Sequence, residues 1–142
     1  VLEALALLAA RHGGRVAPDL FHRVEAGADC AGHRVCASVC PTGALRRWRD
    51  DDRGQLGVAF DAASCIGCGH CVDACPSGAL RLRRGAGTPG AGLRPLNLFE
   101  RRGCSDCGAP FAARAGATLC VRCRASKQLA RAAFHELFRP RP

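Results

Sequence analysis

Apolar positions in this chain come in short runs of differing period. At the start, VLEALALLAARHGG places Leu2, Leu5 and Leu8 on one side of a short helix that Gly13 and Gly14 close. Further on, partial alternation predicts strand, turn and strand: Ala44 to Trp48 leads in, Asp50 to Gly54 turns, and Leu56 to Phe60 leads out. Leu80 to Arg83 repeats the strand pattern. GAGTPGAG, from Gly85 to Gly92, has no apolar periodicity and reads as a linker. Near the end, RASKQLARAAFHELF puts Leu129, Ala133, Phe134, Leu137 and Phe138 on one side of a helix that Pro140 stops. Such a stripe packs on the neighbouring unit or docks a partner subunit, with Phe134, Leu137 and Phe138 as the docking residues. The apolar run of the first helix is too short to cross a bilayer, so no membrane span is expected. The chain begins at Val1 rather than Met, and an upstream segment is expected. The first helix then packs on the next domain or ends a longer region, a signal-peptide remnant being the alternative.

Eleven cysteines in 142 residues change the picture. Closely spaced C-x2-C pairs and C-P endings point to metal rather than to a secreted disulfide framework. A reducing, cytoplasmic setting follows. The cysteines also repeat: CAGHRVCASVCPTGALR from Cys30 aligns without gaps on CIGCGHCVDACPSGALR from Cys65. Cys30, Cys36, Cys40 and Pro41 fall on Cys65, Cys71, Cys75 and Pro76, and both copies end in G-A-L-R. Two copies of one cluster-binding unit are therefore present.

The second copy is a complete C-x2-C-x2-C-x3-C-P run. On these motifs, residues 30–81 resemble a bacterial two-cluster ferredoxin domain. The resemblance implies an α+β fold, a pseudo-twofold cluster domain of short strands and helices. It implies that Cys65, Cys68, Cys71 and Cys40 bind one [4Fe-4S] cluster, while Cys30, Cys36 and Cys75 bind another with position 33 open. A zinc site is the competing reading, but closed four-ligand tetrahedra give no reason for two reciprocal C-x3-C-P endings.

His33 stands where the second copy has Cys68. Three readings compete. As a ligand, the neutral imidazole replaces a thiolate, the site becomes less negative and its potential rises. As a non-ligand, it leaves the fourth iron labile and the site holds a [3Fe-4S] cluster. In a vestigial site it is a solvated loop residue, although the three retained cysteines argue against that. Hydroxide or Asp29 is a further source of a fourth ligand. His70, between ligands of the intact run, is expected to face solvent, and Trp48 to pack rather than relay electrons.

A second kind of unit follows: Cys104, Cys107, Cys120 and Cys123 have C-x2-C-x12-C-x2-C spacing. CSDCGAPF resembles the first knuckle of a zinc ribbon, with Gly108 for the turn and Phe111 over the metal. Zn2+ is favoured over mononuclear iron. Arg101, Arg102, Arg114, Arg122 and Arg124 surround the unit, yet aromatics for base stacking are scarce and Tyr is absent, which disfavours nucleic acid. The formal charge of +9 points the same way once thiolates are counted, because a fully metallated chain carries about +4. All but Lys127 of the 21 cationic residues are Arg.

The expected organisation is an N-terminal helical segment over 1–24, a dicluster domain over 25–84, a linker over 85–100, a zinc-ribbon-like unit over 101–126 and a C-terminal helix over 127–142. The expected function is electron transfer, not catalysis: single electrons pass through two cubane-type clusters to or from a partner oxidoreductase. The resemblance extends to small subunits of molybdopterin oxidoreductases and hydrogenases, which makes a larger enzyme the expected partner. The alternative is a binding or assembly module with non-redox clusters, acting as a sensor or recognising a partner or nucleic acid.

Overall fold

The computed structural model describes residues 2–14, 20–87 and 92–139. The chain is α+β, with a two-stranded and a four-stranded antiparallel sheet. Helix α1 (Leu2–Arg11) is followed by β1 (Arg23–Ala26), α2 (Val35–Val39), β2 (Leu45–Asp50) and β3 (Gln55–Asp61). Then come α3 (His70–Asp73), β4 (Leu80–Arg83), β5 (Leu93–Gly103), β6 (Pro110–Ala113) and α4 (Val121–Leu137).

Strands β1 and β4 close the repeat on itself, Val24 opposite Leu82 and Ala26 opposite Leu80. Val24 and Leu80 face inward, while Glu25 lies outward between Arg23 and Arg83 at 3.3 and 3.5 Å. Strands β2 and β3 form the expected hairpin, Leu45 opposite Phe60 and Asp50 opposite Gln55. At its turn the Arg53 N–H donates to Asp50 Oδ1 at 3.0 Å, and Gly54 takes the left-handed conformation (φ 59°). Leu56 to Ala59 are all buried rather than alternating, because β3 lies inside the sheet between β2 and β5.

The linker expected over 85–100 is not one throughout. Its residues 93–100 begin β5, which pairs with β3 from Leu93 to Glu100 and with β6 through Glu100–Gly103. This strand joins the four-cysteine unit to the sheet of the cluster domain. A bulge in β5 skips Leu96 between Asn97, opposite Val58, and Pro95, opposite Ala59. Pro95 lacks an N–H, and the bulge, together with the free edge that precedes the β6 pairing, accommodates it. Gly57 is required on β3, since a Cβ there would overlap the Asn97 carbonyl oxygen.

Strand β1 was not foreseen either, and it takes up the end of the segment expected to be N-terminal helix. At the other end, α4 starts at Val121, six residues before the expected boundary, because Cys120 caps it. Residues 88–91 of the expected linker, the side chains of Leu2 and Leu5, and the stop at Pro140 lie outside the described residues. Helix α1 ends as expected, with the Gly14 N–H bonded to the Ala9 carbonyl at 2.8 Å. The apolar stripe of α4 does not cover the four-cysteine unit: Phe134 is 65% exposed and Leu137 78%.

The main core is thin. Val24, Leu45, Val58, Leu80 and Cys71 are buried in it, with Cys36, Cys40 and Cys75 packed around them. Of these only Leu45 and Val58 are large and fully enclosed. A core of this size gains little from apolar burial alone, and cysteines make up part of both its buried centre and its partly buried periphery.

Candidate metal centres

The sequence repeat extends to the backbone. Gly32 and Gly67, at matching positions, have φ of 70° and 69°, and Gly43 and Gly78 have 66° and 59°. One residue past His33, Arg34 has φ 60°; one residue past Cys68, Gly69 has φ 87°. Each left-handed residue opens a short helix, α2 or α3, that ends in a C-P turn. The half-buried His33 therefore stands at the start of a loop folded like the one that carries Cys68. His70 is exposed, and Trp48 is half-buried on β2.

Both C-P turns point donors at their cysteine. Thr42 Oγ1 lies 3.8 Å from Cys40 Sγ and Ser77 Oγ 3.6 Å from Cys75 Sγ, while the Leu45 N–H donates to Cys40 Sγ at 3.5 Å. Burial raises the Cys40 thiol, but the Leu45 N–H and the Thr42 hydroxyl outweigh it and the net shift is downward. Cys75 is likewise lowered, against its burial, by the Ser77 hydroxyl and the N–H groups of Ala79, Ser77 and Leu80. These turns favour thiolate, the form that binds metal.

The buried cysteines also act on one another across the two copies. Burial first, then the charges of Cys65, Cys36, Cys40 and Cys68, push the Cys71 thiol up to about 11. Cys65 is raised by burial and by Cys40 and Cys68, against an opposing Gly67 N–H. Cys36 is raised by burial and by Cys30 and Cys75, against the Ala37 N–H. Cys40 of the first copy thus acts on Cys65 and Cys71 of the second, and Cys75 of the second acts on Cys36 of the first, while Cys36 itself acts on Cys71 more strongly than Cys40 does. The two groups adjoin where Cys36 acts on Cys71.

Cys40, Cys65, Cys68 and Cys71 line one small cavity of about 20 Å³, walled by Val24, Leu45, Phe60 and Leu82. The donors fit an iron-sulfur cluster: four thiols, apolar walls and N–H groups aimed at sulfur. Cys68 is exposed at its rim, beside Ile66, which is 62% exposed.

Several residues at these loops escaped the sequence reading. Gly67 packs so closely on His22 that a Cβ would lie 2.5 Å from Nε2. His22 Nδ1 accepts the Gly85 N–H at 3.4 Å, and Arg84 Nη2 donates to the Gly67 carbonyl at 3.2 Å. Asn97, on β5, donates from Nδ2 to Cys30 Sγ at 2.9 Å. The one signal for it was a polar side chain inside the apolar stretch PLNLF.

Cys104, Cys107, Cys120 and Cys123 form a different kind of centre, with all four Sγ atoms within 4.8 Å of one another. Four sulfurs set tetrahedrally at about 2.3 Å from one ion stand about 3.8 Å apart. Cys107 Sγ and Cys120 Sγ are separated by 3.8 Å. No other group of three or more Cys, His, Asp or Glu ligand atoms converges so tightly among the described residues. The quartet therefore has the dimensions of a single-ion site, and the cysteines of residues 30–75 are more widely set.

The strand pair β5–β6 positions the first knuckle, where Gly108 (φ 71°) donates its N–H to the Cys104 carbonyl at 2.9 Å. The second knuckle begins α4. The Cys120 N–H donates to Cys104 Sγ at 3.3 Å, and the Cys123 N–H to Cys120 Sγ at 3.5 Å. Phe111 is buried against Cys104 and Cys120. The N–H groups of Cys120 and Cys107 pull the Cys104 thiol down to about 6, whereas hydrogen bonding to Cys107, then Cys120, holds the Cys123 proton and pushes that thiol up. Lys127 of α4 pairs with Asp106 of the knuckle at 2.8 Å.

Among the described residues no helix is long and apolar enough to cross a membrane. No curated protein matches the chain. Residues 28–79, the segment that holds both cysteine groups, match the family described as 4Fe-4S dicluster domain, and this supports an iron-sulfur electron-transfer role in general.

Proposed function

We propose that this chain carries single electrons through two clusters to or from a partner oxidoreductase, and that the four-cysteine unit is a structural zinc ribbon. The observation that carries the reading is the crossed grouping of the cysteines. A cluster held by Cys40, Cys65, Cys68 and Cys71, which line one cavity, and another held by Cys30, Cys36 and Cys75 would each tie one copy of the repeat to the other. Bound clusters supply reversible one-electron chemistry. The protein positions the sulfurs, excludes water with Val24, Leu45 and Phe60, and donates N–H groups to sulfur.

His33 is the fourth ligand of the second group in this reading. It stands half-buried at the repeat position of Cys68, in a loop of matching backbone. The exposed rim at Cys68 and Ile66 is where electrons enter or leave, because transfer requires a cluster edge near the surface. The partner is a redox protein, and the ferredoxin-like resemblance favours a larger enzyme of the molybdopterin or hydrogenase kind. The spacing of the quartet suits zinc and mononuclear iron equally, and zinc is preferred because a closed site of four thiolates is the usual structural use of that metal.

The test is anaerobic purification with iron, sulfide and zinc measured on the sample used for electron paramagnetic resonance. About eight irons, a silent oxidised sample and two interacting signals after dithionite are expected. A narrow signal near the free-electron value in the oxidised sample would mean a three-iron cluster and remove His33 as a ligand. Clusters that dithionite does not reduce would favour the binding or assembly role instead.

A further inference from the structure

The strand β5 enters the cluster domain from outside the segment that matches the dicluster family, and it brings one polar side chain to a candidate cluster ligand. Asn97 sits at the β5 bulge, opposite Val58. Leu96 and Asn97, at the bulge register shift, are both half-buried, where strict alternation would have exposed one of them. There the Asn97 amide is used at both ends. Its Oδ1 accepts the Val58 N–H at 3.0 Å, and its Nδ2 donates to Cys30 Sγ at 2.9 Å. The first bond fixes which way the amide faces, so that the donor end is the end presented to sulfur.

We infer that Asn97 is a positioning residue that acts through Cys30 to raise the reduction potential of the cluster held by Cys30, Cys36 and Cys75. This rests on the reading above that Cys30 is a cluster ligand. An electron added to a cluster increases the negative charge on its sulfurs, and a donor 2.9 Å away stabilises the reduced form more than the oxidised one. The two halves of the repeat differ here. Cys65, the counterpart of Cys30, receives a backbone N–H from Gly67 in its own loop. Cys30 receives a side-chain donor from a strand that has no counterpart in the other copy. A neutral His33 ligand would act in the same direction as the Asn97 donor and raise the potential of the Cys30 group further.

Asn97→Leu removes the donor at nearly constant volume. Potentiometric titration of the fully loaded protein, followed by electron paramagnetic resonance, is expected to show one of two potentials falling and the other unchanged. The expected size is about tenfold in the reduced-to-oxidised ratio at fixed potential, or about 59 mV for a one-electron couple. A purely structural Asn97 would lower the melting temperature of Asn97→Leu and leave both potentials in place, and that result overturns the inference. Asn97 is the sole asparagine in the chain. Wild-type protein grown on asparagine labelled with 15N in the side-chain amide is therefore expected to show one 15N coupling to one cluster in pulsed measurements, and its absence also overturns the inference, whether or not the variant folds. A wild-type sample with no iron or sulfide would instead overturn the cluster reading itself, before Asn97 is tested.

Discussion

Arg34 carries a backbone cost that its counterpart in the other copy of the repeat, Gly69, does not. It is the one non-glycine residue with positive φ among the described residues, and Gly69 fills the same place in the other copy. A left-handed backbone costs an ordinary L-residue about 1–2 kcal/mol. Its guanidinium is also partly buried, and that burial, followed by the charge of Arg47, lowers its pKa, so the environment does not repay the strain. Glycine removes the strain but makes the unfolded chain freer by about 0.5–1 kcal/mol. The balance predicts that Arg34→Gly stabilises the protein by about 0.5–1 kcal/mol, read as a higher midpoint in anaerobic thermal or denaturant unfolding. A lower midpoint would mean that the Arg34 side chain makes a contribution larger than its backbone costs. The position was legible in the sequence only as half of a comparison: the alignment of His33-Arg34 with Cys68-Gly69 marks the site, but φ is a property of the folded loop.

At the scale of elements, what could be read in advance was what depends on local chemistry. The β2–β3 hairpin announces itself because Asp50 to Gly54 is a turn by composition and both flanks carry apolar residues. The quartet is similarly local, since two C-x2-C knuckles need only meet. Strand β5 could not be read, because Pro95 and the bulge at Leu96 break the alternation on which strand assignment rests. Asn97 was lost with it, although it sits on a candidate ligand. The short β1 carries no period long enough to recognise and exists through its pairing with β4, far along the chain. Elements also set the proton chemistry of the quartet. The N–H of Cys120, at the start of α4, holds Cys104 as a thiolate above about pH 6, while Cys123 keeps its proton through bonds to Cys107 and Cys120. Metal binding displaces only the protons still present. Zinc added to the metal-free quartet at pH 7.5 is therefore expected to release fewer than four protons, with Cys123 among the donors. As pH falls through about 6, Cys104 becomes protonated in the free site, so release per zinc rises by one and affinity falls more steeply. Calorimetry in buffers of different ionisation enthalpy measures this, and release that is independent of pH across 5–7.5 would show that Cys104 is not held as thiolate.

For the whole molecule, the decisive feature is that each cysteine group draws from both copies of the repeat. The α2 and α3 segments pack together over a core whose fully enclosed large side chains are only Leu45 and Val58. Little apolar area holds the copies in register, so the crossing through Cys40 and Cys75 has a structural as well as an electronic consequence. It also makes a prediction that sequence proximity would reverse. Cys40 is a near neighbour of Cys36 in the chain, yet it lines one cavity with Cys65, Cys68 and Cys71, and Cys36 does not. Cys40→Ser and Cys65→Ser are therefore expected to alter the same reduced signal in electron paramagnetic resonance, and Cys30→Ser and Cys75→Ser the other one. Each single variant should lose no more than about half of the bound iron if the remaining group still holds the two copies together. Were Cys40→Ser to alter the signal that Cys30→Ser alters, each copy would hold its own cluster, and the β1–β4 ladder and the α2–α3 contact would be left to join two halves that the proposed centres do not connect.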